Sequence, residues 1–253
     1  NTKQKLQLVV ISIDNDLASK VYINMKRKKC LEVGILFQHI TLEENVEESK
    51  VISIIEKLNK DKNVTSILLQ LPIPKHLNKD KIINSIDPIK DVDGLTNLNM
   101  IKIINNEPSI IPCTPKGIIS LMKYNHIEIA GKNIVIINRS KLIGIPLFHL
   151  LLNENATVTM CHSHTNNLKK ITKKADIIIS AIGKKDFINK SMIKKNSIVI
   201  DVGITRINNQ IYGDVNFNKV KNKASLITPV PNGIGPMTVI SLIENIIACQ
   251  KMS

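Results

Sequence analysis

The sequence predicts an α/β protein with parallel strands, divided into two α/β domains. Short runs of β-branched and aliphatic residues alternate with helical segments along the chain, a pattern typical of parallel sheets. The alternation stops after Tyr124 and starts again at Asn133, which indicates a second domain. A chain of 253 residues, of which 43% are hydrophobic and 22% charged, is long enough for two modest globular domains.

The first half is predicted to contain three strands, each followed by a helix. The predicted strands are residues 6–13, 35–40 and 66–71, and the predicted helices are residues 17–33, 46–59 and 79–86. Asp14, Asn15 and Asp16 can cap the first helix, and Gly34 can end it. Residues 87–112 contain turn residues and little periodicity, so we expect mostly loop there.

The second half is predicted to repeat the alternation after a helix at residues 115–124. The predicted strands are residues 133–137, 157–161, 176–181 and 197–202, and the predicted helices are residues 142–153, 168–174 and 239–251. We expect the last helix to return to the first domain. With a boundary near residue 120, the predicted domains are residues 1–119 together with 238–253, and residues 120–237.

The charge balance favours no macromolecular partner by itself. There are 35 basic and 21 acidic residues, a net charge of +14, which could mark a nucleic-acid or membrane surface or merely a lysine-rich composition. The lysines are scattered, and the few aromatic residues, three Tyr and four Phe, are not interleaved with them. We therefore expect no nucleic-acid partner, although a positive field would also attract small anionic ligands.

Cysteine spacing and hydropathy narrow the class of protein to which the sequence can belong. The four cysteines form no CxxC pair and no metal-ligand spacing, so we expect no metal and a reducing, cytoplasmic compartment. The apolar run at residues 8–13 is too short for a secretory signal. No apolar stretch approaches the roughly 20 residues of a membrane span, so no membrane partner is expected.

A candidate anion site follows the strand at residues 133–137. The chain continues as Asn-Arg-Ser-Lys-Leu-Ile-Gly-Ile-Pro into a helix, and a helix N-terminus after a tight turn favours phosphate. Because the segment lacks the GxGxxG spacing, an ordinary strand–helix loop remains the alternative. The next strand ends in Cys-His-Ser-His-Thr without an acidic residue, which together with Arg139 suits a ribose phosphate. His162 and His164 could resemble a metal pair, but no third ligand lies within sequence reach.

Three groups in the first half are further candidates. Ser19, Tyr22 and Lys26 are spaced to share one helix face, where the alternative is a solvated stripe. Gln70 ends an apolar strand, where the alternative is an amide that faces solvent. Asp91 and Asp93 lie in a Lys-Asp-Val-Asp-Gly segment, where the alternative is an Asx-type turn.

Taken in order, these segments resemble the bifunctional methylene-tetrahydrofolate dehydrogenase and methenyl-tetrahydrofolate cyclohydrolase family along almost the whole chain. The resemblance rests on ten ordered segments at residues 18–35, 67–77, 87–95, 112–119, 138–147, 156–165, 175–184, 198–204, 213–217 and 228–245. It implies a folate-binding first domain and a Rossmann-type NADP-binding second domain, with the active site in a cleft between them. It also implies a homodimer. A relative that retains only one activity is the alternative.

The resemblance also implies roles for individual residues. Tyr22 would pack against the folate ring system, Lys26 would be the key cyclohydrolase residue, Gln70 would position Lys26, and Asp93 would contact the pterin. The implied substrate-binding residues are Ser19, Tyr22, Lys26, Leu71, Pro72, Asp93, Pro231, Asn232 and Gly233. The implied NADP-binding residues are Asn138, Arg139, Ser140, Ile143, Gly144, Pro146, His162, Ser163, Thr165, Ala181, Ile182, Gly183, Asp201, Gly203, Ile204, Asp214 and Thr238, with Arg139 and Ser163 at the phosphate.

The chemistry of the two steps agrees with these roles. Hydride loss from the methylene carbon is assisted by the adjacent folate nitrogens, so positioning supplies most of the catalysis. Hydration of the methenyl carbon requires a proton to be moved, and Lys26 can do so if burial and neighbouring cationic side chains favour its neutral form.

The sequence departs from the family pattern at five positions. Asp14 and Leu17 stand where Gly and Pro are usual, and Ile101, Asn138 and Asn232 each replace a usual Gly. Because Asn tolerates positive φ better than most residues, we expect the two Asn replacements to be conservative for the backbone. The family's opening helix has no match in this sequence, so we expect either a shortened gene or a piece of a longer protein.

Overall fold

The first half of the chain is built on a three-stranded parallel sheet. The computed structural model describes residues 5–13, 17–208 and 210–252. Strands β1 (Gln7–Ile13), β2 (Leu36–Leu42) and β3 (Ser66–Leu69) are arranged in the order β2-β1-β3. Helices α1 (Leu17–Glu32), α2 (Glu48–Lys60) and α3 (Lys79–Asn84) connect and follow the strands.

The core of this unit lies on both faces of β1, whose residues Leu8–Ile11 are fully buried. On one face, α1 contributes Ile23 and Cys30, and the C-terminal helix contributes Leu242 and Ile246. The opposite face packs against aliphatic residues of α2 and α3. The unit comprises residues up to Lys102, residues 107–113 and residues from 239 onward.

The second unit comprises residues 103–106 and 114–238 and contains a five-stranded parallel sheet. The strands are β4 (Asn133–Ile137), β5 (Thr157–Cys161), β6 (Ile177–Ser180), β7 (Ile198–Asp201), β8 (Thr205–Ile207), β9 (Gln210–Tyr212) and β10 (Leu226–Ile227). The large sheet has the order β10-β7-β6-β4-β5, and β8 pairs with β9 in antiparallel orientation. Buried aliphatic residues cover both faces of the large sheet.

The remaining helices follow the chain order. They are α4 (Asn97–Ile104), α5 (Cys113–Tyr124), α6 (Gly144–Asn153), α7 (Leu168–Thr172), α8 (Phe217–Val220) and α9 (Ile234–Met252), with a single 3-10 turn at Lys190–Met192. No helix within the described ranges combines the length and hydropathy needed to cross a membrane.

The predicted parallel α/β architecture is confirmed, and most predicted strands lie within two residues of their observed bounds. Gly34 ends α1 with a positive φ of 78°, as its position predicted. Asp14, Asn15 and Asp16, predicted to cap α1, lie outside the described residues.

Two details of the element predictions differ from the structure. Residues 87–112 are mostly loop, as predicted, but they also contain α4, in which Leu98, Ile101 and Ile104 are exposed while Ile103 is buried. Apolar residues therefore occupy both sides of this short helix, which removes the periodic signal. The last helix begins at Ile234, five residues before its predicted start, because Pro236 is tolerated in the first turn of a helix.

Candidate functional site

The central contact of the first unit joins α1 to the end of β3. Lys26 Nζ donates a hydrogen bond to Gln70 Oε1 at 3.1 Å. Gln70 Nε2 donates to the carbonyl of Leu71 at 2.8 Å, and the Gln70 backbone N–H donates to Ile11 in β1 at 2.8 Å. Gln70 is buried, so both ends of its amide are fixed and its oxygen is held toward the ammonium group of Lys26.

The face of α1 that carries Lys26 is only partly solvated. Ser19 is buried, Lys26 is half-buried, and Tyr22 is 36% exposed. On the same helix, burial raises the pKa of the Cys30 thiol to about 11, although the charge of Lys26 opposes the shift. Cys30 therefore stays neutral at physiological pH and packs as an apolar residue.

The chain turns sharply after Gln70, where the peptide bond from Leu71 to Pro72 is cis. Leu71 is half-buried and Pro72 is exposed. The turn leaves the Lys26–Gln70 pair at the carboxyl end of the strands, the edge of parallel sheets at which ligands usually bind.

The two aspartates of the Lys-Asp-Val-Asp-Gly segment have different surroundings. Asp91 is buried, and its carboxylate accepts hydrogen bonds from the Thr96 backbone N–H at 2.7 Å and from Asn99 Nδ2 at 3.1 Å. Burial raises the pKa of Asp91 despite these hydrogen bonds. Asp93 is half-buried and accepts a hydrogen bond from the Cys113 thiol at 3.4 Å. Asp91 thus holds the loop together, whereas Asp93 keeps an accessible carboxylate.

In the second unit, the turn between β4 and α6 is organised by the side chain of Asn138. Its Oδ1 accepts hydrogen bonds from the Ser140 N–H at 2.8 Å and the Gly144 N–H at 3.0 Å, and its Nδ2 donates to the Ala181 carbonyl. A Cβ on Gly144 would lie 2.4 Å from the Asn138 carbonyl oxygen, so only glycine fits there. Ser140 Oγ also accepts a hydrogen bond from the Ile143 N–H.

Asn138 is not among the described residues with a left-handed backbone, so its tolerance of positive φ is not needed at this position. Instead, the side-chain amide of Asn138 lies in the turn, and its oxygen accepts hydrogen bonds from two N–H groups for which a glycine would offer no side-chain acceptor. Arg139, the next residue, is exposed, and Pro146 is buried in the first turns of α6. Arg139 and Lys141 are therefore the two exposed cationic side chains of this turn that can meet an anion from solvent.

The end of β5 forms a small closed turn. The His162 N–H donates to Thr165 Oγ1 at 2.8 Å, the Thr165 N–H donates to the His162 carbonyl at 2.9 Å, and the His164 N–H donates to His162 Nδ1 at 3.2 Å. Ser163 at the tip of the turn is exposed. His162 Nδ1 is thus occupied as an acceptor, and within the described ranges no group of three potential metal ligands is found.

Two buried carboxylates brace the loops that follow β6 and β7. Asp214 accepts hydrogen bonds from Ser180 Oγ at 2.8 Å and from the N–H groups of Ile182 and Lys184, both at 2.7 Å. Asp201 accepts hydrogen bonds from the backbone N–H groups of Gly203, Asp214 and Val215 at 2.8–3.1 Å. Burial raises the pKa of Asp201 to about 6, and the charge of Asp214 adds to the increase.

These carboxylates explain two glycines and position three further predicted cofactor residues. A Cβ on Gly203 would lie 2.0 Å from Asp214 Oδ1, and a Cβ on Gly213 would lie 2.0 Å from Asp201 Oδ2. Ala181, Gly183 and Ile204 lie in the braced loops, where Gly183 has a φ of 65° and Ile204 is 44% exposed. Because the carboxylates are saturated by backbone N–H groups, any contact of Asp201 or Asp214 with a cofactor would come through backbone atoms.

The loop before α9 contains the last predicted site residues. The peptide bond from Val230 to Pro231 is cis, and both Pro231 and Asn232 are exposed. Asn232 has a φ of 72°, so the expectation that asparagine replaces glycine here in a left-handed backbone is confirmed. A Cβ on Gly233 would lie 2.3 Å from the Pro229 carbonyl, and Thr238 Oγ1 donates to the Ile234 carbonyl.

Comparisons with known proteins match each half of the chain to a domain of the same family. Residues 1–93 match the family described as the catalytic domain of tetrahydrofolate dehydrogenase/cyclohydrolase, and residues 112–253 match its NAD(P)-binding domain. The bifunctional protein FolD of Agathobacter rectalis is 49% identical over 245 residues, which cover 96% of this chain and 88% of the relative.

Two solved structures are also similar. The FolD methylenetetrahydrofolate dehydrogenase/cyclohydrolase of Campylobacter jejuni is 40% identical with a TM-score of 0.96, and the alignment covers 98% of this chain and 89% of that one. The Trypanosoma brucei dehydrogenase-cyclohydrolase, solved with NADP and an inhibitor, is 32% identical with a TM-score of 0.94 and coverage of 98% and 88%.

Proposed function

The chain belongs to the bifunctional tetrahydrofolate dehydrogenase/cyclohydrolase family of one-carbon metabolism, and on that premise we propose that NADP is its cofactor and that Lys26 and Gln70 carry its hydrolytic step. The first reaction oxidises 5,10-methylene-tetrahydrofolate to 5,10-methenyl-tetrahydrofolate. The second hydrolyses this product to 10-formyl-tetrahydrofolate. The observation that supports the residue assignment best is the hydrogen bond of 3.1 Å from Lys26 Nζ to Gln70 Oε1.

In the oxidation, the folate nitrogens stabilise the cation that forms as hydride leaves the methylene carbon. NADP, when bound, supplies the hydride acceptor. The protein's task is therefore to bind and orient, and no side-chain base has to ionise. Tyr22, at 36% exposure on α1, offers an aromatic face to the folate ring system, and Asp93 offers a half-buried carboxylate to the pterin.

In the hydrolysis, water attacks the cationic methenyl carbon and loses a proton. N5 then gains a proton as its bond to this carbon breaks, and the added hydroxyl loses its proton as the formyl C=O forms, so that one proton is released overall. Lys26 Nζ is the group that moves the proton, and Gln70 fixes its position because the Gln70 amide is held at both ends. In this proposal Lys26 transfers the proton, and Gln70 holds Lys26 in position.

The residues of the second unit fit a cofactor with a ribose phosphate. Arg139 and Ser163 are both exposed, on the turn after β4 and on the turn after β5. The turn at residues 161–165 has no carboxylate that would repel a phosphate. The NADP bound to the Trypanosoma brucei relative agrees with this assignment. We assign NADP binding to residues 120–237 and folate binding to residues 1–119 with 238–253. The chain divides after Cys113 and after Thr238, close to both boundaries, although residues 103–106 and 114–119 fall in the second unit.

We expect NADP to be preferred over NAD by about tenfold or more in catalytic efficiency. A charge-assisted hydrogen bond to a phosphate contributes roughly 1.5–3 kcal/mol, which is about a factor of ten or more in affinity. The Arg139→Ala variant should lose this preference mainly through a higher KM for NADP. Arg206→Ala is the matched control, because Arg206 is an exposed arginine on β8 of the same unit. Equal efficiency with NAD, or unchanged NADP binding in Arg139→Ala, would contradict the assignment.

We also propose that the enzyme is a cytoplasmic homodimer, an assignment that rests on the family resemblance. Sedimentation equilibrium of the purified chain tests the dimer, since a single species of 28.3 kDa would contradict it.

A further inference from the structure

Asn245 is the last residue of segment 228–245, which the chain shares with its family, and it has no role in the two reactions proposed for this chain. It lies on α9, is 1% exposed, and belongs to the same unit as Asp93. Its Nδ2 donates hydrogen bonds to the Val92 carbonyl at 2.9 Å and to the Ile111 carbonyl at 2.8 Å. One buried amide therefore ties α9 to two separate segments of backbone.

Both segments lead directly to the carboxylate of Asp93. Val92 is the residue before Asp93, and Ile111 lies two residues before Cys113. The Cys113 thiol donates to Asp93 Oδ1 at 3.4 Å, the shorter of its two acceptor contacts, the other being the Val92 carbonyl at 3.7 Å. Asn245 Nδ2 lies 3.6 Å from the Cys113 sulfur. The Asn245 amide therefore contacts both the backbone next to Asp93 and the thiol that lies beside the Asp93 carboxylate.

Close packing makes this contact sensitive to small shifts. A Cβ on Gly94 would lie 2.3 Å from the Ile110 carbonyl oxygen, so the two backbone segments already touch beside Asp93. The carbonyl oxygens of Val92 and Ile111 both lie within hydrogen-bond distance of the NH2 group of Asn245, which can supply one hydrogen to each. An aspartate of the same size could not donate and would add a charge next to both carbonyls.

We propose that Asn245 is a positioning residue for folate binding. It holds the Val92 and Ile111 backbones at a fixed separation and thereby keeps the Cys113 thiol on the Asp93 carboxylate. The inference rests on the proposed function, in which Asp93 contacts the pterin. We expect its effect on the folate side, because the Val92, Ile111 and Cys113 groups that it contacts all belong to the first unit.

The test compares Asn245→Asp and Asn245→Ala with Ser241→Ala, a change at another buried polar residue one turn earlier on α9. KM and kcat for 5,10-methylene-tetrahydrofolate and KM for NADP are measured well below the Tm of each variant. We expect Asn245→Asp to raise the folate KM about tenfold or more and the NADP KM less than twofold. Asn245→Ala should show a smaller rise of the same kind, and Ser241→Ala should resemble the wild type.

Cys113 provides an independent test that does not depend on how α9 tolerates substitution. Cys113→Ala should raise the folate KM about threefold, whereas Cys113→Ser retains a donor and should restore most of the loss. Parallel increases in both KM values, or a lower Tm with an unchanged folate KM, would overturn the inference. Failure of the proposed function is distinguishable, because the wild-type enzyme itself would then not turn over the folate.

Discussion

Replacing Lys26 with Gln is expected to abolish hydrolysis of methenyl-tetrahydrofolate while measurable dehydrogenase activity survives. Proton transfer by a placed side chain typically contributes about 10²–10⁴ in rate, and glutamine cannot move a proton as lysine does. Hydride loss depends on alignment, which the similar length and polarity of glutamine largely preserve. Methenyl-tetrahydrofolate should therefore accumulate when the variant is supplied with methylene-tetrahydrofolate and NADP.

The two half-reactions can be separated by supplying methenyl-tetrahydrofolate directly and following its decay above the uncatalysed background. Gln70→Ala should slow the same step through misplacement of Lys26, since the oxygen that accepts from Lys26 Nζ is lost. Lys29→Gln on the same helix is the matched control, because Lys29 is an exposed residue paired with Glu32. Full hydrolytic activity in Lys26→Gln would reject the role proposed for this residue.

Replacing Gly203 with Ala is expected to destabilise the second unit by about 3 kcal/mol or more. The new Cβ would lie 2.0 Å from Asp214 Oδ1, and Asp214 cannot move aside without breaking its hydrogen bonds to Ser180, Ile182 and Lys184. Overpacking and the loss of buried, charged hydrogen bonds each cost about 1–3 kcal/mol. The expected decrease in Tm is about 6 to 12 °C for a chain of this size.

Thermal unfolding followed by circular dichroism measures this effect. Gly235→Ala is the control, because a Cβ there meets no atom within 4 Å and the residue lies in α9. Its free energy of unfolding should change by no more than the roughly 1 kcal/mol that separates glycine from alanine in a helix, which corresponds to about 2–4 °C in Tm. If Gly203→Ala unfolded at the same temperature as Gly235→Ala, the bracing role of Asp214 would be wrong.

The elements that could be predicted from the sequence are those with a buried, regular face. Strand β4 shows this, since Ile134–Ile137 are buried in the sheet and form an unbroken β-branched run. Helix α4 could not be predicted because its apolar residues lie on both the buried and the exposed side. The short hairpin of β8 and β9 is likewise too brief for a periodic pattern.

The residues of the candidate site also fall into those that spacing could place and those that it could not. Residues on a single helix, such as Tyr22 and Lys26, can be placed on one face by spacing alone. The bond between Lys26 and Gln70 spans 44 residues of sequence, and only the family resemblance indicated the pairing before the structure was known. Asn245 and Cys113 lie in segments shared with the family, but residue spacing gave no sign of their roles, because hydrogen bonds between distant parts of the sequence leave no local pattern.

The turn after β4 shows a role of asparagine that the sequence does not reveal. Asparagine in place of glycine was expected to be conservative for the backbone, and Asn138 also uses its side chain as an internal acceptor for the N–H groups of Ser140 and Gly144. At Asn232 the same substitution does adopt positive φ. Whether asparagine is retained for its backbone or for its amide depends on nearby N–H groups, which only the folded chain brings together.

The most direct measurement is an absorbance assay in which the purified enzyme receives 5,10-methylene-tetrahydrofolate with NADP and, separately, with NAD. Methenyl-tetrahydrofolate should form with NADP at least about tenfold more efficiently than with NAD, which corresponds to one charge-assisted phosphate contact. It should then decay faster than in buffer alone as 10-formyl-tetrahydrofolate is produced. Absence of methenyl formation with NADP, or its formation without accelerated decay, would contradict the assignment of both activities to this chain.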